Sequence, residues 1–324
     1  MEYRVLLYYK FIAVPNVEET AEEQRRWCQE LGLLGRIIVA SEGINGTVSG
    51  LRESTIEYER RMQDHLLFAD TAFKTDDHDR HAFKRLTVKS RAEIVTLGLP
   101  VDTVRKTGVH LKPRDFHAKI ADPNVLILDI RNDYEYEMGH FRGAIRPPLE
   151  TFKEFPNWIS ENFGGAKDRE VLTYCTGGIR CEKFTAYLCE QGFRHVFQLD
   201  GGIVTYAKDP EVLGDGFEGD CFMFDERLSV PVGPPVGKCE KCGGATSRYV
   251  NCDYVDCNRL YFLCVPCEGE MGLSCSSKCG AEVRKREKDG RLNPSLRSEA
   301  RLERRRRHRA KRRLASTAET GLKL

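Results

Sequence analysis

The most constraining feature of this sequence is an apolar strand that leads directly into a glycine-containing loop and then a helix. The strand Val171-Leu172-Thr173-Tyr174 is almost continuously apolar, which is typical of a strand buried on both faces of a sheet. It is followed by Cys175-Thr176-Gly177-Gly178-Ile179-Arg180 and by a predicted helix from about Cys181 to Gln191, with Gly192 as its stop. This order predicts a parallel α/β sheet with reactive groups at the carboxyl ends of its strands.

Two further apolar runs fit the same sheet. Val125-Leu126-Ile127-Leu128 precedes Asp129-Ile130-Arg131, and Val196 to Leu199 precedes Asp200-Gly201-Gly202-Ile203. Each run ends at a polar residue and a turn, and helical patterns lie between the runs. We therefore predict an α/β domain with a parallel sheet over residues 122–216.

The loop after the central strand has the composition of an anion site. Backbone N–H groups at a helix N-terminus stabilise negative charge, and the two glycines allow the tight turn that surrounds one point. A sulfur held there, close to Arg180, is expected to be a thiolate at neutral pH. The alternative, a buried structural cysteine, is accepted for Cys189 inside the helix but disfavoured for Cys175.

The residues before this domain predict a small α+β unit over 1–95. Strands are predicted at Arg4–Val14, Gly35–Ala40, Thr47–Ser49 and Phe83–Val88, with helices at Glu18–Leu31 and 52–67 and a turn over Ser41–Gly46. The resulting order βαββαβ suggests a ferredoxin-like fold. Residues 96–121 are predicted to be a connector with a short helical piece from Lys112 to Ile120.

Eight of the thirteen cysteines fall in a Pro- and Gly-rich segment predicted over residues 217–282. Their pairwise spacing suits tetrahedral zinc sites, and metal could supply the folding energy of a segment with little core of its own. Redox-active pairs and reduced thiols packed as apolar groups are the alternatives, and spacing alone does not reveal which pairs share an ion. The candidate metal ligands are Cys239, Cys242, Cys252, Cys257, Cys264, Cys267, Cys275 and Cys279.

The charge of the chain is divided unevenly. Residues 284–313 contain fifteen Arg or Lys and four acidic residues, a local charge of +11, which leaves −9 for the residues before them because the total is +2. We interpret residues 283–324 as a basic tail that meets nucleic acid, in preference to a solvated appendage without a partner. The sequence contains no secretory signal and no apolar run of bilayer length, so a cytoplasmic protein without membrane contact is expected.

The motifs of the α/β domain, taken together, resemble those of rhodanese domains. Besides the cysteine loop, they include Asp129-Ile130-Arg131, Gly139 to Ile145, and Leu199 to Ile203, in the same order as in that family. The resemblance implies that Cys175 carries a persulfide whose terminal sulfur is held by the loop amides and Arg180. Related phosphatases have a loop that is longer by one residue, and the four residues between Cys175 and Arg180 therefore disfavour phosphate. The residues expected to support the loop are Thr176, Gly177, Gly178, Asp129 and Arg131.

The resemblance extends beyond this domain. Glu42-Gly43-Ile44-Asn45-Gly46-Thr47, the segment Lys84 to Val95, the run from Cys175 to Lys183 and the Cys-rich segment together resemble tRNA uridine hydroxylases of the TrhO type. This resemblance covers about residues 1–282 and implies oxygen-dependent formation of 5-hydroxyuridine at the wobble position of tRNA, with Cys175 as the persulfide-bearing residue. Molecular oxygen would be the co-substrate and tRNA the partner. Candidate RNA-binding residues are Lys84, Arg85, Lys89 and Arg91.

The residues alone leave other functions open. Without the resemblance they indicate sulfur chemistry on an anionic substrate, so a persulfide sulfurtransferase acting on a small acceptor or on tRNA is the alternative. A non-catalytic RNA-binding scaffold is disfavoured by the intact Cys175 and Arg180. No flavin or nicotinamide site is recognisable. His78 and His81, with Asp77 and Asp79, could be iron ligands, but we interpret this segment as a solvated polar loop. The sequence does not indicate the oligomeric state.

Overall fold

The computed structural model describes residues 1–103, 106–257 and 259–289 of the chain. Most of the predicted basic tail, from residue 290 onward, therefore lies outside the described residues. The chain divides into two compact units, Met1–Pro235 and the residues from Val236 onward, and each is described by itself. No helix in the described ranges is long and apolar enough to cross a membrane.

The first domain of unit 1 is a five-stranded sheet with two helices. Its strands lie in the order β4-β1-β3-β2-β5, with β5 parallel to β2 and the other pairs antiparallel. The first six elements run βαββαβ, with the strand order 4-1-3-2, so the predicted ferredoxin-like fold is confirmed. The elements are β1 (Tyr3–Phe11), α1 (Val17–Glu30), β2 (Leu34–Ala40), β3 (Gly43–Leu51), α2 (Arg52–Gln63), β4 (Phe73–His78) and β5 (Leu86–Ser90).

The fourth strand of this domain was predicted in the wrong place. It is β4, Phe73–His78, whereas the predicted strand Phe83–Val88 corresponds to the additional edge strand β5. The sequence of β4 is Phe-Lys-Thr-Asp-Asp-His, and most of its side chains are half-buried instead of alternating between core and solvent. An edge strand without apolar alternation carries no signal of period two. The predicted turn over Ser41–Gly46 is also shorter, because β3 begins at Gly43.

The two faces of β1 pack against different parts of unit 1. Leu6 and Tyr8 are fully buried in the core of the first domain, together with residues of its helices. Leu7, which points to the opposite face, packs against the core of the domain that follows. The first sheet is therefore covered on both faces, and one face lies on the second domain.

The second domain contains the predicted parallel sheet, with strand order β6-β10-β9-β7. The three apolar runs predicted as strands are present as β7, β9 and β10, so the α/β prediction is confirmed. The elements are β6 (Val109–Leu111), α3 (Pro113–Ile120), β7 (Leu126–Asp129), α4 (Asp133–Met138), β8 (Gly139–Phe141), α5 (Phe155–Phe163), β9 (Glu170–Tyr174), α6 (Ile179–Glu190), β10 (His195–Leu199) and α7 (Gly202–Tyr206).

The edges of this domain differ from the predicted boundaries of the sheet. The strand β6 lies in the predicted connector, where Val-His-Leu is too short and too exposed to form an apolar run. After α7, β11 (Phe217–Phe222) pairs with β8 and with β12 (Ser229–Pro231) in a small antiparallel sheet. The chain from residue 217 to 235 is therefore part of unit 1.

Unit 2 is a small cysteine-rich structure. Its elements are β13 (Tyr249–Asn251), β14 (Leu260–Phe262), α8 (Val265–Met271) and α9 (Ser277–Lys288), and the two strands form an antiparallel pair. Among the described residues, its buried core consists of Val250, Tyr261, Leu263 and four cysteines. Such a core supplies little apolar burial for folding.

Candidate active site

The loop from Cys175 to Arg180 lies at the carboxyl end of β9 and opens directly into α6. Gly178 has φ +102°, a left-handed conformation that a residue with a side chain adopts only under strain. A Cβ atom on Gly178 would also lie 2.7 Å from the Tyr9 hydroxyl, and one on Gly177 would lie 2.9 Å from Leu7 Cδ2. Gly178 is therefore required by its backbone conformation, and a Cβ atom at either glycine would force the neighbouring side chain of the first domain to move.

The Cys175 sulfur is buried, with only 1% of the residue exposed, and it accepts a hydrogen bond of 3.1 Å from the Gly178 N–H. Burial by itself raises the pKa of the thiol. The Cys181 thiol, the Arg180 charge and the N–H groups of Cys181 and Gly178 outweigh this effect and lower the pKa of Cys175 to about 5. Cys175 is therefore a thiolate at neutral pH, the nucleophilic form of the side chain.

Arg180 is held by a buried carboxylate that was not identified from the sequence. Its two terminal nitrogens donate to the two oxygens of Glu135 at 2.8 Å each, and Thr176 Oγ1 donates to the same carboxylate at 3.3 Å. Glu135 is fully buried; burial raises its pKa, but Arg180 outweighs this effect and keeps the pKa low. The pair fixes the end of the loop, while the Arg180 charge still acts on Cys175.

One sequence signal could have revealed Glu135. Asn132 and Glu135 form a capping box at the start of α4, and this spacing of Asn and Glu is recognisable before a helix. The capping box explains why a glutamate stands at this position. Its pairing with Arg180 is a tertiary contact, which the local motif does not indicate.

Asp129 and Arg131 form a second buried ion pair beside the loop. Arg131 Nε and Nη2 donate to Asp129 at 2.9 and 2.5 Å, and Arg131 Nη2 also donates to the Gly139 carbonyl at 2.6 Å. The hydroxyl of Tyr174, the residue before Cys175, donates to Asp129 at 2.7 Å. The pair therefore connects the ends of β7 and β9, which is the position that a loop-supporting pair would occupy.

The first domain contributes further contacts to the start of α6. The Tyr9 hydroxyl donates to Glu182 Oε1 at 3.2 Å, and Glu182 also lies 3.2 Å from His110 Nε2. Lys183 is buried and donates to Glu42 at 2.8 Å and to Glu93 at 2.6 Å. The motif around Glu42 and the run Cys181-Glu182-Lys183 are thus brought into direct contact.

The four predicted RNA-binding residues lie apart from the loop contacts described above. All four side chains are exposed, on or next to β5, and Lys84 lies 3.3 Å from Glu226. Their exposure leaves them accessible, and their role in RNA binding stays a prediction. The residues concerned are Lys84, Arg85, Lys89 and Arg91.

The eight cysteines of unit 2 form two groups of four. Within each group the sulfur atoms all lie within 4.8 Å of one another. The eight cysteines follow one another along the chain as four pairs. The first and third pairs form one group, and the second and fourth pairs form the other. The first group is Cys239, Cys242, Cys264 and Cys267, and the second is Cys252, Cys257, Cys275 and Cys279. Both could hold a metal ion; His78 and His81 belong to neither group.

The fold and the cysteine loop together define a rhodanese-domain protein with an added domain on each side. Family comparison agrees: residues 3–94 match the UPF0176 acylphosphatase like domain, residues 112–209 the rhodanese-like domain, and residues 218–280 the rhodanase C-terminal domain. The chain is 48% identical over 291 residues to a tRNA uridine(34) hydroxylase of Bacillus velezensis, covering 87% of this chain and 90% of that protein. It is also 48% identical over 284 residues to one of Oceanobacillus iheyensis, covering 86% and 88%. The chain belongs to the tRNA uridine(34) hydroxylase family.

Proposed function

We propose that this protein hydroxylates the wobble uridine, position 34, of tRNA. The observation that carries the proposal is the presence of a complete sulfur-sized anion loop, with Cys175 as a thiolate, in a chain that matches named hydroxylases over nearly its whole length. The product is 5-hydroxyuridine: one atom of molecular oxygen is inserted at the uridine C5–H bond, a two-electron donor and two protons reduce the other atom to water, and Cys175 is the reacting residue.

The residues of this chain have separate parts in that reaction. The loop N–H groups and the Arg180 charge hold the sulfur of Cys175 in its anionic form. Glu135 fixes Arg180, and Asp129 with Arg131 fixes the ends of the two strands that flank the site. The burial of Cys175 excludes bulk water from the reacting sulfur.

The function is tested by nucleoside analysis of tRNA from cells with and without the protein. We expect 5-hydroxyuridine to disappear in the cells that lack the protein, and to carry oxygen-18 when complemented cells are grown under oxygen-18 gas. Loss of a thiolated nucleoside with the hydroxylated one unchanged would instead establish a sulfurtransferase. Unlabelled product under oxygen-18 gas would remove molecular oxygen as the source.

The cysteine groups of unit 2 are proposed to hold two structural zinc ions. Tetrahedral zinc with Zn–S bonds of about 2.3 Å separates its sulfurs by about 3.8 Å. Cys242 and Cys264 lie 3.7 Å apart, Cys257 and Cys275 lie 3.6 Å apart, and Cys275 and Cys279 lie 3.7 Å apart. The small apolar core of this unit fits a fold whose stability depends on metal.

Elemental analysis of protein purified without added metal tests this assignment. We expect two zinc ions per chain, reduced to one by Cys242→Ser and, separately, by Cys257→Ser. Cys189→Ser, a change outside both groups, should leave the stoichiometry unchanged. A value near zero, with unit 2 still resistant to protease, would favour packed thiols over metal.

A further inference from the structure

The first domain places three side chains over the cysteine loop. Leu7 and Tyr9 alternate with core residues along β1, and Lys74 on β4 is the register partner of Leu7. Leu7 and the Tyr9 hydroxyl lie so close to Gly177 and Gly178 that a Cβ atom at either glycine would displace them. Lys74 therefore lies on the sheet face that covers Cys175.

The charge of Lys74 lacks a carboxylate partner of its own. Its ammonium lies 5.0 Å from the centre of the Tyr9 ring. Burial lowers the pKa of Lys74, and the negative charges of Cys175, Asp200 and Glu182 act in the opposite direction and favour the ammonium form. No ion pair found among residues 1–103, 106–257 and 259–289 includes Lys74.

Each of the two acidic residues already has a basic partner. Glu182 lies 3.2 Å from His110, and Asp200 pairs with Lys112. Arg180, the other cation near the sulfur, is engaged on both terminal nitrogens by Glu135. Of the three negative groups that act on Lys74, the two carboxylates thus have basic partners of their own, while Cys175 depends on the loop N–H groups and on Arg180, which it shares with Glu135.

We infer that Lys74 is a positioning residue that stabilises the negatively charged sulfur of Cys175, so that the first domain completes the active site. The inference rests on the proposed function only in taking Cys175 as the reacting group. It assigns to the first domain a part in the chemistry of the site, beyond covering the loop. Because the ammonium also contacts an aromatic face, it is held in position without a competing salt bridge.

Several other titratable groups surround Cys175 and Lys74. Arg180 and Cys181 on α6 and Tyr9 on β1 act on Cys175, while Asp200 after β10 and Glu182 on α6 act on Lys74, with His110 on β6 beside Glu182. A test must therefore change the Lys74 charge while leaving all of these in place.

The test is the pH dependence of Cys175 ionisation in the full-length protein, followed by NMR of cysteine labelled with carbon-13 at Cβ. The Cys175 signal is assigned by its loss in Cys175→Ser, because the chain has thirteen cysteines. The variants are Lys74→Met and Lys74→Gln, with Lys74→Arg as the conservative change. Lys119→Met is the matched control, because Lys119 is also partly buried over an aromatic ring, that of Phe197, at 4.3 Å.

We expect both neutral variants to raise the apparent pKa of Cys175 by about one pH unit, as loss of one nearby cation does in a partly desolvated site. Lys74→Arg and Lys119→Met should titrate like the unchanged protein. Folding of each variant is checked by thermal unfolding, and either neutral variant that folds is sufficient. Titration of that variant with the pKa of the unchanged protein would overturn the inference. The measurement needs no tRNA, so a failure to hydroxylate uridine would overturn the proposed function alone.

Discussion

Lys183→Met should destabilise unit 1 by removing a buried cation between the two domains. Only 1% of the Lys183 side chain is exposed, and its ammonium donates to Glu42 at 2.8 Å, to Glu93 at 2.6 Å and to the Val95 carbonyl at 3.2 Å. Methionine has a similar length and can fill the apolar part of the site. The substitution would leave two carboxylates and a carbonyl without their donor.

The magnitude follows from how far water can reach the remaining groups. Removing one partner of a fully buried ion pair costs about 3–5 kcal/mol. The Glu42 and Glu93 side chains are 24% and 18% exposed, so water can partly solvate them after the substitution. We therefore expect a loss of about 2–3 kcal/mol in the free energy of unfolding, which corresponds to about 5–10 °C in the melting temperature of a unit of this size.

The loss should depend on pH in a defined direction. Burial raises the pKa of Glu93, but the hydrogen bond and charge of Lys183 outweigh it, and the folded pKa lies below the usual value of 4.5. A carboxylate with a lowered pKa contributes stability above its unfolded pKa and loses that contribution as the pH falls through the folded value. The difference in the free energy of unfolding between the unchanged protein and Lys183→Met should have its full size at pH 7 and should become smaller below pH 4.5.

Scanning calorimetry of the full-length chain measures this difference. Lys208→Met is the control, because Lys208 pairs with Asp76 at a position where 52% of the lysine side chain is exposed. Exposed pairs contribute about 0–1 kcal/mol, so the control should melt close to the unchanged protein. Equal melting temperatures for Lys183→Met and the control at pH 7 would refute the argument from burial.

Three other outcomes are expected. Arg180→Lys should lower hydroxylation at least tenfold and the stability by about 1.5–3 kcal/mol, because lysine cannot make both bonds to Glu135; full activity with unchanged melting would make Arg180 dispensable. Mild peroxide should produce a Cys175–Cys181 disulfide detectable by peptide mapping, because the Cys181 thiol is close enough to lower the pKa of Cys175; its absence would end a resolving role. A chain ending at residue 289, after α9, should keep its tRNA preference but bind more weakly and with a shallower salt dependence, and an unchanged salt slope would identify the tail as a solvated appendage.

The cysteine loop could be predicted from the sequence because its determinants are local. A buried strand, two glycines and a helix start within a few residues of Cys175, and each has a short-range signal. The support of the loop has no such signal. Glu135 lies 45 positions before Arg180, and only the folded sheet brings α4 next to the loop.

The part played by the first domain was not predictable for a related reason. Lys74 lies on the polar edge strand β4, which has no apolar alternation, and Lys183 is a charged residue in the buried interior of a helix. The burial of both lysines results from the packing of one domain on the other. The local sequence around each lysine is of the kind found on solvated surfaces. The grouping of the eight cysteines is likewise a tertiary arrangement, which spacing along the chain does not reveal.

The central claim is that Cys175 performs the hydroxylation, and it is tested most directly by tRNA nucleoside analysis in cells that carry only a variant of the protein. Cys175→Ser preserves the shape of the side chain but removes the thiolate, so 5-hydroxyuridine should be absent. Cys189→Ser, a change near the C-terminal end of α6 and away from the loop, should leave the modification at its normal level. Normal levels of 5-hydroxyuridine with Cys175→Ser would contradict the account.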